Sequence, residues 1–251
     1  MLPERVVVLP DIHTPNHNVP AVGAVLKFIK DYEPTTLIQL GDLCDWDSVT
    51  SFDPNRESDI KSIKEEQEAS CRLLRRIEAV LPKDFKKVLI GGNHEDRVTR
   101  WKVKYGSEIQ MRRRGPVSDW WEMYKLKEHG WEWLDYGGVY KMGKLLFTHG
   151  FGKGGKNMAD LLLKRFHKNV IAGHSHRFLT STWVSFDDHA IMATSIGTLS
   201  NFNLSYLRGE PPSDWIHMFA TVEFVECGRF TICPVPIVGG KFVRKGKLYG
   251  V

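Results

Sequence analysis

The sequence predicts an α/β fold. Three observations lead there. Five short apolar runs are each followed at once by Asp, Asn or His. A helical stripe separates the first two of these runs, and the last third of the chain is strand-like. At 251 residues, with 42% hydrophobic and 26% charged content, the chain suits a single domain able to bury a sizeable core.

Val6-Val7-Val8-Leu9 runs into Pro10-Asp11-Ile12-His13. From Val19 to Tyr32, Val22, Val25, Leu26 and Ile29 form a helical stripe. Thr36-Leu37-Ile38-Gln39-Leu40 then runs into Gly41-Asp42-Leu43-Cys44-Asp45. A strand–helix–strand unit of this kind predicts parallel strands. After a polar loop holding Trp46 and Phe52, a long helix is expected from Ser58 to Val80. Ile60, Ile63, Leu73, Leu74 and Ile77 would face inward, Pro82 would close it, and Lys61/Glu65 and Lys64/Glu68 would pair on a solvated face. Val88-Leu89-Ile90 runs into Gly91-Gly92-Asn93-His94-Glu95, a buried strand ended by two glycines that at once presents an amide, an imidazole and a carboxylate. In α/β proteins that strand end is where ligands sit.

The segment from 97 to 135 is longer than one connecting helix and reads as a helical cap insertion beside the site. It carries five of the eight tryptophans (Trp101, Trp120, Trp121, Trp131 and Trp133) and the run Arg112-Arg113-Arg114. Between Arg97 and His129 nine Lys or Arg face four Asp or Glu, which equals the whole net excess of +5. Such a concentration suggests attraction to a polyanion such as DNA or RNA, with rings available to stack on bases. The alternative is that Trp120 and Trp121 close the core. Trp131-Glu132-Trp133-Leu134 suggests a return to strand, and Lys141-Met142-Gly143-Lys144 a hairpin turn.

Leu145-Leu146-Phe147 runs into Thr148-His149-Gly150, and Val170-Ile171-Ala172 into Gly173-His174-Ser175-His176. Between them lie a glycine-rich loop with Lys153 and Lys156 and a helix through Leu161, Leu162 and Phe166. Strands are then expected at Ser181–Phe186, Ala190–Thr194, Trp215–Val225 and Phe230–Val238, together forming a second sheet. Lys241, Arg244, Lys245 and Lys247 make the C-terminal end basic. No apolar stretch approaches the roughly 18 residues of a membrane span, and no signal peptide is evident. The four cysteines lack C-x-x-C spacing, so reduced thiols in a cytoplasmic protein are expected.

Taken as a set, these strand ends resemble the calcineurin-like metallophosphoesterases, whose pattern is D-x-H, G-D-x-x-D, G-N-H-[D/E], a lone His and G-H-x-H. The resemblance covers roughly residues 5 to 178. It implies a two-sheet αβ(βα) sandwich with helices on its outer faces and two divalent metal ions between the strand ends. Manganese is the expected metal, with Fe, Zn, Ni or Mg also open. Asp42, with two oxygens to share, would bridge the ions. Asp11, His13 and His176 would complete one, and Asn93, His149 and His174 the other. His94 resembles the family's general acid, with Asp45 orienting its ring and raising its pKa.

One departure bears on substrate. Protein Ser/Thr phosphatases of the superfamily follow that Asp with Arg-Gly, whereas Asp45 is followed by Trp46-Asp47. Arg97, Lys153 and Arg177 are the candidates to hold a phosphate instead. The reading is therefore a dinuclear metal-dependent phosphohydrolase in which metal-bound hydroxide attacks phosphorus and His94 assists the leaving group. A phosphodiesterase or nuclease acting on nucleic acid or nucleotides is preferred to a protein or nucleotide phosphomonoesterase. G-D-L-x-D also resembles the SbcD-type nucleases, without their long C-terminal region. A non-catalytic scaffold, as in the retromer subunit of this fold, is the alternative from another class. The oligomeric state is left open.

Overall fold

Valine- and leucine-rich runs become central strands here because both of their faces are covered. The computed structural model describes residues 4–50, 61–82, 85–106, 118–152, 154–186, 189–203 and 214–250. In it β1 (Glu4–Leu9), β2 (Thr36–Gln39), β3 (Lys86–Ile90) and β4 (Glu132–Leu134) run parallel, side by side. Beyond β1 the sheet continues antiparallel through β10 (Met218–Phe224) and β11 (Phe230–Pro236), making six strands. The second sheet has five. β6 (Leu145–Thr148), β7 (Asn169–Ala172) and β9 (Ala190–Ser195) are parallel, and β5 (Tyr140–Met142) and β8 (Leu179–Val184) are antiparallel edges.

Alternation along each strand builds the layers. Val6, Val8, Ile38, Leu40, Val88 and Ile90 face the second sheet, where Leu145, Phe147 and Ile171 meet them. Val7, Leu9, Leu37 and Leu89 face the other way, onto helices α1 (Val19–Tyr32) and α2 (Ile63–Glu78). The outer face of the second sheet is covered by a helix at Met158–Phe166, through Met158, Leu162 and Leu163. The predicted sandwich with helices outside is thus the observed architecture.

Local signals set the helix ends. Asn18 accepts from the Ala21 N–H and opens α1. Ser62 and Glu65 form a reciprocal capping box at α2, so that helix starts at Ile63 rather than Ser58; Ser58 and Ile60 lie outside the described residues. Lys61 precedes the helix, and its ammonium binds Asn16 Oδ1 at 2.8 Å instead of Glu65. Lys64 and Glu68 pair at the exposed face as expected, at 3.9 Å.

Two expectations change. β10 and β11 do not join the second sheet: β10 pairs with the open side of β1, Val222 opposite Val6. Its alternate residues Met218, Ala220, Val222 and Phe224 still fill the space between the sheets. An apolar period of two specifies which face is buried, not which strand is the neighbour.

The second change concerns the tryptophans. Following Gly92, α3 (Asn93–Tyr105) leads away from β3, and α4, the single turn Trp120–Met123, precedes β4. Trp120 (2% exposed), Tyr124, Leu126 and Trp131 all belong to the main core. Trp120 Nε1 donates to Asp135 Oδ1 at 3.2 Å and Trp131 Nε1 to Glu78 Oε1 at 2.7 Å. Trp121 and Trp133 stack on each other. These rings are packing groups, and Arg112, Arg113 and Arg114 lie outside the described residues.

Removing the Trp120 ring is therefore expected to cost about 3–5 kcal/mol of stability, as large-to-small core substitutions do. Denaturant unfolding of Trp120→Ala against the parent checks it, and an unchanged midpoint would return the ring to the surface.

Candidate metal centre

All five polar strand ends point into one place. β1, β2 and β3 from one sheet and β6 and β7 from the other deliver Asp11, His13, Asp42, Asn93, His149, His174 and His176 to their carboxyl ends. Five of these seven side chains are buried, Asp11, His13 and His149 with no exposed surface, and Asn93 and His174 are partly buried. The backbone is bent to achieve this. His13, Asp42, His174 and His176 all have positive φ, between 50° and 68°. Non-glycine residues rarely adopt that region, and such strain gathers at functional sites.

The glycines of the pattern are spacers. A Cβ on Gly92 would lie 2.1 Å from Asp42 Oδ1, and one on Gly173 would lie 2.4 Å from Asp11 Oδ1. Only hydrogen leaves room for carboxylates this close to a neighbouring backbone.

The side chains sort into two groups around Asp42. In the first, His176 Nε2 lies 3.1 Å from His13 Nε2 and 3.1 Å from Asp11 Oδ2. In the second, His149 Nε2 lies 2.9 Å from Asn93 Oδ1 and 3.1 Å from His174 Nδ1. Asp42 Oδ2 stands between them, 3.8 Å from His13 Nε2 and 3.4 Å from His149 Nε2. Ring nitrogens facing each other at such distances share at most one proton, and the buried Asp11 Oδ1 has no hydrogen-bond partner. Converging imidazole and carboxylate lone pairs of this kind fit divalent cations.

Hydrogen bonds behind the rings select the nitrogen that faces the centre. His149 Nδ1 donates to the Leu40 carbonyl at 2.9 Å, and His174 Nε2 to that of Gly152 at 2.9 Å. His13 Nδ1 binds Asp45 Oδ1 at 2.7 Å, and Asn16 Nδ2 donates to the other Asp45 oxygen at 2.5 Å. The Asp45 carboxylate thus orients His13, not His94 as the sequence suggested. His94 Nδ1 donates instead to the Asp45 backbone carbonyl at 2.8 Å, with the nearer carboxylate oxygen at 3.7 Å.

The electrostatics follow. Burial opposes the charged form of every imidazole here. Burial is the largest single effect at His13 and at His149, but Asp45 with Asp42 and Asp11 at the first, and Asp42 with Asp11 and Glu95 at the second, together outweigh it, so both are raised to about 9. His94 lacks such a partner. Burial, aided by Arg97 and His13 against Asp42 and Asp45, pushes it down to about 3. That direction is the reverse of the one expected from a neighbouring Asp45. Asp42 itself is held well below the carboxylate range: burial works against this, but His149 and His94 prevail.

His94 Nε2 faces the centre, 3.8 Å from Asp42 Oδ2. Arg97, one helical turn on, donates to His94 Nε2 at 3.1 Å and is tethered by the Asp45 carbonyl and Asp47 Oδ1. Of the other two candidate phosphate-holding residues, Arg177 is taken up by Asp214 and by the Gly154 and Ser175 carbonyls. Lys153 lies outside the described residues.

Glu95 escaped the sequence reading as a functional residue. Its fully buried carboxylate binds the backbone that carries Asp42. The available signal was its place at the third position of a helix, where an acid bonds back to free N–H groups.

Fold and site together define a metal-dependent phosphohydrolase. Residues 4–178 match the family model for calcineurin-like phosphoesterases. The chain belongs to that family and is a metal-dependent phosphoesterase. It is 27% identical to the Gene 54 protein of Mycobacterium phage D29 and 26% identical to that of Mycobacterium phage L5, with 99% of each chain covered in both cases. Among solved structures, Vps29 from Entamoeba histolytica aligns over 98% of both chains at 15% identity and a TM-score of 0.49. Among the described residues no helix is long and apolar enough to cross a membrane.

Protein loaded with manganese is expected to hold about two ions per chain by elemental analysis, because two ligand groups share Asp42. Asp42→Asn should lose the metal while keeping its circular dichroism. Full occupancy in that variant would remove Asp42 from the centre.

Proposed function

We propose that the chain hydrolyses phosphodiesters, of nucleotides or nucleic acid, at a dinuclear centre. The single observation behind this is the placing of two ligand groups and His94 Nε2 around one oxygen, Asp42 Oδ2. Asp11, His13 and His176 would hold one divalent ion and Asn93, His149 and His174 the other, with Asp42 common to both. When bound, such ions polarise the phosphoryl oxygens and activate water, with manganese the favoured metal.

The protein's own part is positioning and proton transfer. His94 rests neutral, with Nδ1–H fixed on the Asp45 carbonyl. Its Nε2 lone pair, released when Arg97 turns away, can take up the proton that the attacking water gives up and pass it to the leaving oxygen. Among the described residues, Arg97 is the one arginine beside that nitrogen. It can turn from His94 to a non-bridging phosphate oxygen while Asp47 keeps it in reach.

The preference for a diester rests on charge. Trp46, fully buried, occupies the position after Asp45. Among the described residues this leaves Arg97 as the single guanidinium at His94, which suits a monoanionic diester better than a dianionic monoester. Phosphomonoesters are the second reading.

Assays with manganese on an aryl diester, an aryl monoester, and single- and double-stranded DNA and RNA test this. Higher kcat/KM on diesters supports it, and faster monoester turnover would reverse the order. His94→Asn should slow substrates with alkoxide leaving groups about a hundredfold or more, and nitrophenyl esters much less. Equal losses on both would remove the acid role. Arg97→Ala should raise KM roughly tenfold if the guanidinium contacts phosphate, and an unchanged KM would exclude that contact.

A further inference from the structure

We infer that Glu95, Tyr124 and Trp46 form a positioning relay that sets the place of the Asp42 carboxylate, and through it the affinity of the centre for its divalent ions. The inference rests on reading Asp42 as the ligand common to both ions.

Glu95 is a fully buried carboxylate that forms no ion pair with a Lys, Arg or His among the described residues, an unusual arrangement. It gathers donors from three separate parts of the chain. Glu95 Oε2 accepts from the Asp42 N–H at 2.9 Å and the Gly92 N–H at 2.8 Å. Its Oε1 accepts from the Leu43 N–H at 3.0 Å, the Cys44 N–H at 3.4 Å and the Tyr124 hydroxyl at 2.9 Å. The loops after β2 and β3 are thus hung on one side chain. A carboxylate is required here, because a glutamine would offer one oxygen and turn an amide N–H₂ toward backbone donors.

The relay continues outward. The Tyr124 hydroxyl, which donates to Glu95, in turn accepts from Trp46 Nε1 at 2.9 Å, and the two rings stack with centroids 5.7 Å apart. Trp46 has a φ of 48°, which turns its indole away from the centre and into the core. This gives a reason for tryptophan at that position: it anchors the same loop from its far end, only four residues beyond Asp42. Asp42 is accordingly held at both ends. Its own N–H is on Glu95, and its Oδ1 accepts the His94 N–H at 2.9 Å.

The fit leaves little slack, since Gly92 allows no Cβ beside Asp42 Oδ1. Loosening the Glu95 contacts would shift Oδ2 from the point where it faces both ligand groups. None of the three side chains is placed to touch substrate. They are positioning residues, of the kind whose loss typically weakens metal binding 10–100-fold.

The test measures manganese affinity by calorimetry on metal-stripped protein, alongside denaturant unfolding in chelator. Tyr124→Phe keeps the ring and its packing, and is expected to bind manganese about tenfold more weakly; Glu95→Gln should lose about a hundredfold. Trp46→Phe should also weaken binding. The double variant Trp46→Phe/Tyr124→Phe should lose no more than the larger single effect, because both act through one carboxylate. Lower stability with parental manganese affinity in Tyr124→Phe would overturn the relay and leave these residues as scaffolding. Should Glu95→Gln fail to fold, Tyr124→Phe alone decides. Asp42→Asn measured in parallel separates the premise: parental affinity there would sink the shared-ligand reading, whatever the relay variants do.

Discussion

The geometry of this protein turns on one carboxylate. Asp42 presents one oxygen to the N-terminus of α3, where the His94 N–H and the helix dipole favour a negative charge. The other oxygen faces His13, His94 and His149 at once. Every segment that reaches the centre is arranged to leave that oxygen free and in place. Glu95 holds its backbone, Gly92 makes room beside it, and the imidazoles around it are fixed from behind by carbonyls or by Asp45. A shift in Asp42 would disturb both ligand groups together, since it is the side chain between them.

Concentrating this many titratable groups without water is costly, and the rest of the fold offsets the cost. Burial raises the carboxylates and lowers the imidazoles, so each kind of group stabilises the charged form of the other. Attraction prevails over desolvation at His13, chiefly through Asp45, at His149, chiefly through Asp42, and at Asp11, through His176 and His149. Burial prevails instead at His94, His174 and His176; His94 differs from the other two in holding its Nδ1–H on a carbonyl and its Nε2 toward Asp42 and Arg97. The strained backbone at His13, Asp42, His174 and His176 is carried by two sheets whose strands are buried on both faces. Rigid strand ends tolerate such conformations where a free loop would relax.

The tryptophan-rich segment shows how composition alone can mislead. Clustered rings and cations read equally well as a nucleic-acid surface or as a core with a charged exterior. Burial of Trp120 and Trp131 and the mutual stacking of Trp121 and Trp133 assign the rings to packing. Tyr124, which drew no notice in the sequence, turned out to stand between Glu95 and Trp46. Its role depends on a hydroxyl meeting a carboxylate 29 residues away, and no local pattern announces that.

What the sequence determined by itself was therefore the inventory and its order. Apolar runs ending in Asp, Asn or His place polar groups at strand ends, because side-chain alternation and strand termination are local properties. The sandwich and its family were legible for that reason, as was the set of polar side chains that the strand ends bring together. Tertiary structure alone decided the pairings: Asp45 with His13 rather than His94, β10 beside β1 rather than in the second sheet, and Glu95 beneath Asp42. Each of these depends on which of several chemically equivalent partners lies within about 3 Å after the sheets have packed. That distance is set by strand order and by burial across the whole chain, and not by any stretch of residues read in isolation.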